Sequence, residues 1–270
     1  MVKPNNLSKN AWSDRLIDRL AYAHDASMYR LVPEAVARPK SEQDVKYILR
    51  HANDTKSPVT FRTGGTSLSG QSISNGILAE VVRGWQNYHI NDDGNSIELQ
   101  PGVIGARANV YLAPYQKRIG PDPASINSCK IAGMAANNSS GMCCGVAQNS
   151  YHTLKDMTLI FADGTELNTA DEYSCQRFLS THSDWVNELM NLVASVKQNS
   201  ALSELITHKY RLKNTTGYGL NALLDFSDPI DIIKHVIIGS EGTLVNITEA
   251  KLRLVPTPKF KGLGGRRITK

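Results

Sequence analysis

No run of apolar residues in this 270-residue chain is long enough to cross a bilayer; the apolar stretch in "HVIIGS" is bounded by Lys234, His235 and Ser240. The N-terminal "MVKPNNLSKN" lacks the apolar core of a secretory signal. The expected location is therefore cytoplasmic, with peripheral membrane association left open. Cysteine is scarce, and the four present (Cys129, Cys143, Cys144 and Cys175) lack the paired C-x-x-C spacing of a metal site. No metal is expected, and the adjacent Cys143 and Cys144 are expected as reduced, partly buried thiols rather than as a strained vicinal disulfide. Charge of one sign is not in large excess: 30 Lys and Arg against 25 Asp and Glu give +5, part of it in the terminal "KFKGLGGRRITK". Without aromatic residues interleaved among basic ones, a nucleic-acid partner is excluded. Two phosphate-binding signatures are also missing. There is no G-x-x-x-x-G-K-[ST], which excludes a nucleoside-triphosphatase loop. There is no G-x-G-x-x-G opening a helix, which disfavours an NAD-binding dehydrogenase.

What the chain does contain is an ordinary globular composition, able to form one large domain or two joined lobes. Apolar spacing through Trp12, Leu16, Ile17 and Leu20 predicts a helix over 10–24. Ser41 and Asp44 resemble a capping box, ahead of Val45, Ile48, Leu49 and Ala52 at helical spacing. A strand follows at 58–61, then a glycine-rich loop, then a strand at 76–82, so the first eighty residues read as a compact α/β lobe. Beyond Trp85, "SIELQPGV" is a strand ending in a Pro-Gly turn, and the helical "GARANVYLAPYQKRI" must bend or end at Pro114. "KDMTLIFADGTELNT" is a hairpin around Asp163-Gly164, the pair a type I′ turn favours. Residues 184–197 form an amphipathic helix through Trp185, Leu189, Leu192 and Val196. "KHVIIGSEGTLVNITEAKLRLVP" is expected to give two more strands, broken at Gly239–Gly242.

Three stretches of small residues carry the functional signal. "FRTGGTSLSGQ" (61–71) places a double glycine and hydroxyls straight after a strand, and backbone N–H groups in such a turn converge on an anion. "GPDPASINSCKIAGMAANNSSGMCCG" (120–145) is too small and polar for a core element, yet Ile126, Ile131 and Met134 argue for a packed loop. "IIGSEGTLVNITE" (237–249) again sets glycines beside strand residues. Small residues let backbone approach a flat ligand closely, so the three together suggest one extended ligand lying across both lobes.

Five segments, "DASMYRLVPEAVARPKSEQDV", "RTGGTSLSGQ", "SCKIAGMAANNSSG", "KNTTGYGLNAL" and "GSEGTLVNITEAKLRLVP", resemble in order the flavin domain of the vanillyl-alcohol-oxidase (p-cresol methylhydroxylase) type. Within that family the chain is most similar to the FAD-linked D-2-hydroxyacid dehydrogenases acting on D-lactate, glycolate or D-2-hydroxyglutarate, and especially to long bacterial members. The resemblance implies an α+β, two-lobed domain: a small α/β lobe and a larger, mainly antiparallel lobe with helices, FAD lying between them. The implied organisation is an N-terminal helical segment (1–30), a first lobe (31–85), a second lobe (86–258) and a basic tail (259–270). Arg62, Gly64, Gly65, Thr66, Ser67, Leu68, Gly70 and Gln71 would form the loop holding the FAD pyrophosphate. Cys129, Gly133, Met134, Asn138, Gly141 and Gly145 would run along the flavin, with Pro123 and Ser125 opening that wall. Glu241, Gly242 and Ile247 would close over the adenine-ribose end. Ala132 departs from a common Gly-Gly pair, and the loop lacks the histidine some relatives attach to flavin, which implies non-covalent binding.

Arg211 and Lys213, in "YRLKNTTGYGL", are candidates for attracting a substrate carboxylate, and no catalytic base is named. His152 and His208 lie near the motifs and are expected in ordinary roles. The substrate cap, and the iron–sulfur region of the long relatives, are expected only beyond this sequence, so the chain is expected to be the flavin-holding part of a longer protein and inactive alone. The electron acceptor, a quinone or an electron carrier, stays open. A sugar- or aldonolactone-type FAD oxidase domain and a flavin-free interaction module are the alternatives.

Overall fold

The computed structural model describes residues 3, 4, 6–91 and 94–260. Residues 261–270 of the expected basic tail lie outside the described residues. The first lobe contains β1 (Trp12–Ser13), α1 (Leu16–Ala21), β2 (Ala35–Ala37), α2 (Glu42–Thr55), β3 (Val59–Arg62) and β4 (Ile77–Glu80). Its sheet has the order β1-β2-β4-β3, parallel except for the outer pair β1–β2. Ser41 Oγ accepts the Asp44 amide at 3.2 Å, and Val45, Ile48, Leu49 and Ala52 are buried as their spacing predicts. The other half of the expected capping box is not formed. The short Asp44 carboxylate accepts the amides of Lys40 and Ser8, each at 2.9 Å, instead of that of Ser41.

The helix expected over 10–24 is cut to six residues. Trp12 and Ser13 pair with Ala37 and Val36, so their backbone groups are satisfied in the sheet, while Leu16 and Ile17 face solvent. Apolar spacing there did not mark a single face.

The second lobe contains β5 (Tyr88–Ile90), β6 (Ser96–Leu99), α3 (Gly105–Leu112), β7 (Lys117–Ile119), α4 (Ile131–Ala136), α5 (Ser150–Thr153), β8 (Leu154–Phe161) and β9 (Glu166–Asn168). The helices α6 (Glu172–Thr181), α7 (Ser183–Gln198), α8 (Ser200–Lys209), α9 (Ala222–Asp225) and α10 (Pro229–Ile237) follow, and the long strand β10 (Val245–Pro256) closes the lobe. The sheet is antiparallel, β5-β6-β10-β8-β9, with β7 pairing the far end of β10. Leu99, Leu112, Ile119, Leu159, Leu167 and Phe178 fill its core. No helix among the described residues is long and apolar enough to cross a membrane.

Four local expectations are corrected here. Residues 234–238 are not a strand. They end α10, which Asp228 starts by accepting the Ile230 and Asp231 amides at 2.8 and 3.1 Å, with Pro229 at the first helical position. This helix is apolar on several sides because it lies between two clusters, giving Ile230, Ile233 and Ile237 to one and Ile232 to the other. The 161–165 turn is not type I′, since of its central residues only Gly164 has positive φ (87°). Gly164 N donates to Phe161 O and Phe161 N to Thr165 O, both at 2.9 Å, a three-residue loop with glycine at the left-handed position. In α7 the buried face is Val186, Val193 and Val196, because α8 and α9 pack on that side; Trp185 and Leu192 are exposed. Finally, the 120–145 stretch does contain a core element: α4 buries Ile131, Ala132, Met134 and Ala135.

Gly141, after α4, lies where any Cβ would come within 1.9 Å of the Asp122 carbonyl oxygen. Gly141→Ala is expected to cost about 1–3 kcal/mol through overpacking against backbone, read as a lower urea midpoint. His235 supplies a pH dependence. Its ring is buried, stacks on Phe226 at 4.1 Å, and its Nδ1 lies 2.7 Å from Asp231 O. Burial pushes its pKa below the ordinary histidine value, so the unfolded chain takes up the proton first. Its contribution is complete above the unfolded histidine pKa and is lost as pH falls below it. Urea midpoints should therefore fall as pH drops from about 7.5 to 5.5, and less so in His235→Gln.

Candidate functional site

A cleft of about 740 Å³ opens between the two lobes, within the range of cofactor sites. The glycine-rich loop forms one wall, with Gly65, Thr66, Ser67, Leu68 and Gln71 all lining it. Gly65 has φ +63°, a conformation that a side chain resists, and it turns the chain sharply after β3. The Ser67 hydroxyl accepts the amides of Gln71 (3.1 Å) and Ser69 (3.4 Å) and bonds the Gln71 side chain, closing the loop on itself. The amides of Gly64, Gly65, Thr66 and Ser67 donate to no protein acceptor among the described residues.

The opposite wall joins two segments that are a hundred residues apart in sequence. Cys129, Ala132, Gly133 and Met134 line it from α4 and the turn before it, with Pro123 and Ser125 at its edge. A Cβ at Gly133 would come within 2.9 Å of Thr63 Oγ1, so a larger residue would crowd the gap between the walls. The 239–242 turn then caps α4: Gly239 N and Glu241 N donate to Ala135 O and Ala136 O at 3.3 and 2.9 Å. Asn137 Nδ2 donates to Glu241 Oε1 at 2.6 Å. Glu241, Gly242 and Ile247 face the cleft beyond this cap. Burial raises the Glu241 pKa, and the Asn137 bond opposes that only in part.

Several residues expected at the site lie behind it. The Arg62 guanidinium faces away from the cleft and donates to the carbonyls of His24 (2.7 Å), Tyr22 (3.3 Å) and Ser72 (3.4 Å). Gly64 and Gly70 are absent from the lining; Gly64 abuts Ser128 and Gly70, at φ +80°, abuts the Tyr29 ring. Asn138 has both ends of its carboxamide bonded, to Tyr151 N and Asn214 O. Gly141 is packed on Asp122, and Gly145 stands in open space away from the lining. Lys213 lines the cleft, whereas Arg211 does not and bonds His208. Of the candidates in ordinary roles, His152 bonds the Asn149 side chain.

Sequence reasoning missed Asn137, Ser140, Thr215, Thr216, Ser240 and Asn246, all in the lining. Several sit in the stretches already singled out, but which hydroxyl or amide faces the cleft is decided by packing. The fit to a dinucleotide diphosphate is good on three counts. Unpaired loop amides point to an anion, close backbone approach suits a flat ring, and the charged lining residues are Lys130 and Lys213 against the single half-buried Glu241.

Comparison with known proteins bears on the same segments. D-2-hydroxyglutarate dehydrogenase of Pantoea ananatis is 28% identical over 254 residues, covering 90% of this chain and 24% of that protein. The glycolate oxidase subunit GlcD of Escherichia coli is 31% identical over 148 residues, 54% of this chain and 30% of that protein. The chain thus spans about a quarter of the length of the curated D-2-hydroxyglutarate dehydrogenases it matches. Among solved structures, alkyldihydroxyacetonephosphate synthase superposes with TM-score 0.62 at 16% identity, over 94% of this chain and 40% of that one. 6-hydroxy-D-nicotine oxidase of Arthrobacter nicotinovorans gives 0.60 at 16% identity, over 93% and 44%. These share the two-lobed α+β fold expected from the motifs. Residues 33–170, which hold the glycine loop and α4, match the model of the FAD binding domain, and the chain belongs to that family.

Proposed function

We propose that this chain is the FAD-holding part of an oxidoreductase that converts a D-2-hydroxyacid to the 2-oxoacid, with residues 31–85 and 86–258 as the two lobes that grip the cofactor and β1 of the 1–30 segment joining the sheet of the first. The observation that carries the reading is the convergence, in one inter-lobe cleft, of unpaired glycine-loop amides with the small-residue wall of α4. Similarity to D-2-hydroxyglutarate dehydrogenases and to a glycolate oxidase subunit supports the substrate class. FAD, when bound, supplies the acceptor for a hydride from the substrate α-carbon. The chain's own residues hold and orient. The amides of Gly65, Thr66 and Ser67 address the diphosphate, while Gly133 and Ala132 leave room for a ring. The Lys213 ammonium at the wall favours an anionic substrate group. In this reading the cofactor is held non-covalently, as the absence of a histidine from the glycine loop implies.

Denaturing the loaded protein should release intact FAD, identified by chromatography; recovery of FMN, or no uptake of flavin, overturns the reading. Anaerobic bleaching of the flavin band by D-2-hydroxyglutarate, D-lactate or glycolate should be slow or absent for this chain alone, and rapid bleaching by any of them would show that it carries its own substrate site. Bleaching by an aldonolactone alone would move the chain to the sugar-oxidase branch.

The glycine loop gives the second test. At Gly65 a Cβ would fall 2.4 Å from Arg62 Nη2, and positive φ adds strain. Because the guanidinium is held by three carbonyls, it cannot yield without freeing them. Gly65→Val should weaken FAD binding roughly tenfold or more, with the circular dichroism spectrum kept. Full flavin occupancy in the folded variant would show the loop to be only a turn.

A further inference from the structure

Three buried polar atoms in the cleft wall have no protein partner: Ser140 Oγ, Ser240 Oγ and Asn246 Nδ2. Each residue is more than nine-tenths buried, at 4%, 3% and 3% exposure. They come from three places in the chain: the exit of α4, the turn ahead of β10, and the second residue of β10. A buried donor left unpaired opposes folding, because its hydration is lost with nothing in return. The other residues with such atoms among those described (Trp12, His51, Glu80, Arg118 and Asn221) do not line the cleft.

Asn246 is the most informative. It pairs with Ile160 across the β10–β8 ladder, and paired residues share a sheet face. Ile160 packs with Val45, Leu49, Val81 and Trp85 of the smaller lobe. An apolar side chain at 246 would extend that cluster, yet the chain places a carboxamide there. Val81 of that cluster and Phe61, packed against it, also line the cleft. Such surroundings suit a flat apolar ring and not a diphosphate, which the loop amides on the other wall serve.

We propose that Asn246, flanked by Ser140 and Ser240, recognises the heteroaromatic edge of the bound cofactor, its carboxamide setting a donor and an acceptor side by side against a ring nitrogen and its neighbouring carbonyl or amino group. The proposal rests on the reading of the cleft as an FAD site. Both ring systems of FAD carry such an edge, and their fragments tell them apart. The device has a cost: the free protein keeps an unpaired amide in its wall so that the loaded protein can use it.

The free and loaded states should therefore respond with opposite signs. Asn246→Leu should raise the melting temperature of the flavin-free protein by about 2–4 °C, and weaken FAD binding roughly tenfold or more by fluorescence titration. FMN and ADP titrations locate the edge: loss with FMN alone assigns the isoalloxazine ring, and loss with ADP alone assigns adenine. Unchanged FAD affinity, equal losses for both fragments, or a lower melting temperature in the flavin-free variant each overturn the proposal, the last by making the carboxamide structural. Should Asn246→Leu not fold, Asn246→Ala and Ser240→Ala are read by the same affinity and fragment criteria. A wild-type protein that binds neither FAD nor its fragments sinks the functional reading itself, and this inference with it, whereas normal wild-type binding beside an indifferent variant sinks the inference alone.

Discussion

The larger lobe depends on the pairing of one strand with three others. β10 bonds β8 along one edge from Val245 to Leu252, and β6 and then β7 along the other from Ala250 to Pro256, so ladders hold it along its whole length. Its first residues are thereby placed, and Val245, Asn246 and Ile247 stand in the cleft wall as a consequence. The turn ahead of it is pinned in the same way, since Gly239 and Glu241 close the end of α4 through their amides. Sheet, turn and short helix form one continuous backbone-bonded wall. A wall built from backbone hydrogen bonds can carry small side chains without losing its shape, which is what close approach to a flat ligand requires.

The facing wall is held differently. Arg62 gathers the carbonyls of Tyr22, His24 and Ser72 under the glycine loop, and its guanidinium lies 5.4 Å from the Tyr22 ring centroid. Burial pulls its pKa down, opposed by the Asp25 and Glu80 carboxylates. Arginine keeps its charge under such a penalty, and its Nη1 alone reaches all three carbonyls. The spacing of the two walls is set by the cluster of Val45, Leu49, Val81 and Trp85 with Ile160, and by the Lys46–Glu166 ion pair at 2.7 Å. Cleft width thus follows from packing remote from the cleft itself.

Features governed by local rules were legible in the sequence. Gly65 announces a left-handed turn, Ser41 a helix start, and the alternation around Asp163-Gly164 a hairpin, even though the turn type differs. The family motifs led to both walls of the cleft. What could not be read is tertiary in origin. The run Lys234–Ile238 looks like a strand because burial between two clusters makes several sides of α10 apolar; Asp228-Pro229 was the helix-start signal that outweighs the pattern. α4 is built from Ile, Ala, Gly and Met, and its helicity here comes from being capped and buried, not from amphipathic spacing. Arg62 reads as a phosphate ligand from its place beside the glycines, and only the fold shows it turned inward. Ser140, Ser240 and Asn246 have nothing in their local sequence to separate them from neighbouring polar residues.

Some positions that break local rules lie at or just behind the cleft wall, whereas others among the described residues, such as Lys56 and Gln116, do not. Glu241 and Asn138 adopt positive φ without being glycine, Gly65 does so against a buried guanidinium, and three polar side-chain atoms in the wall lack partners. Each departure is tolerated because the surroundings over-determine it. Glu241 is held by Asn137 and by the α4 carbonyl, Asn138 by Tyr151 and Asn214, and Gly65 by the Ala26 amide on its carbonyl at 3.0 Å. The unpaired atoms are the exception, since nothing in the protein compensates them. In the proposed reading, the compensation for the unpaired donors of the wall comes from the ligand that fills the cleft.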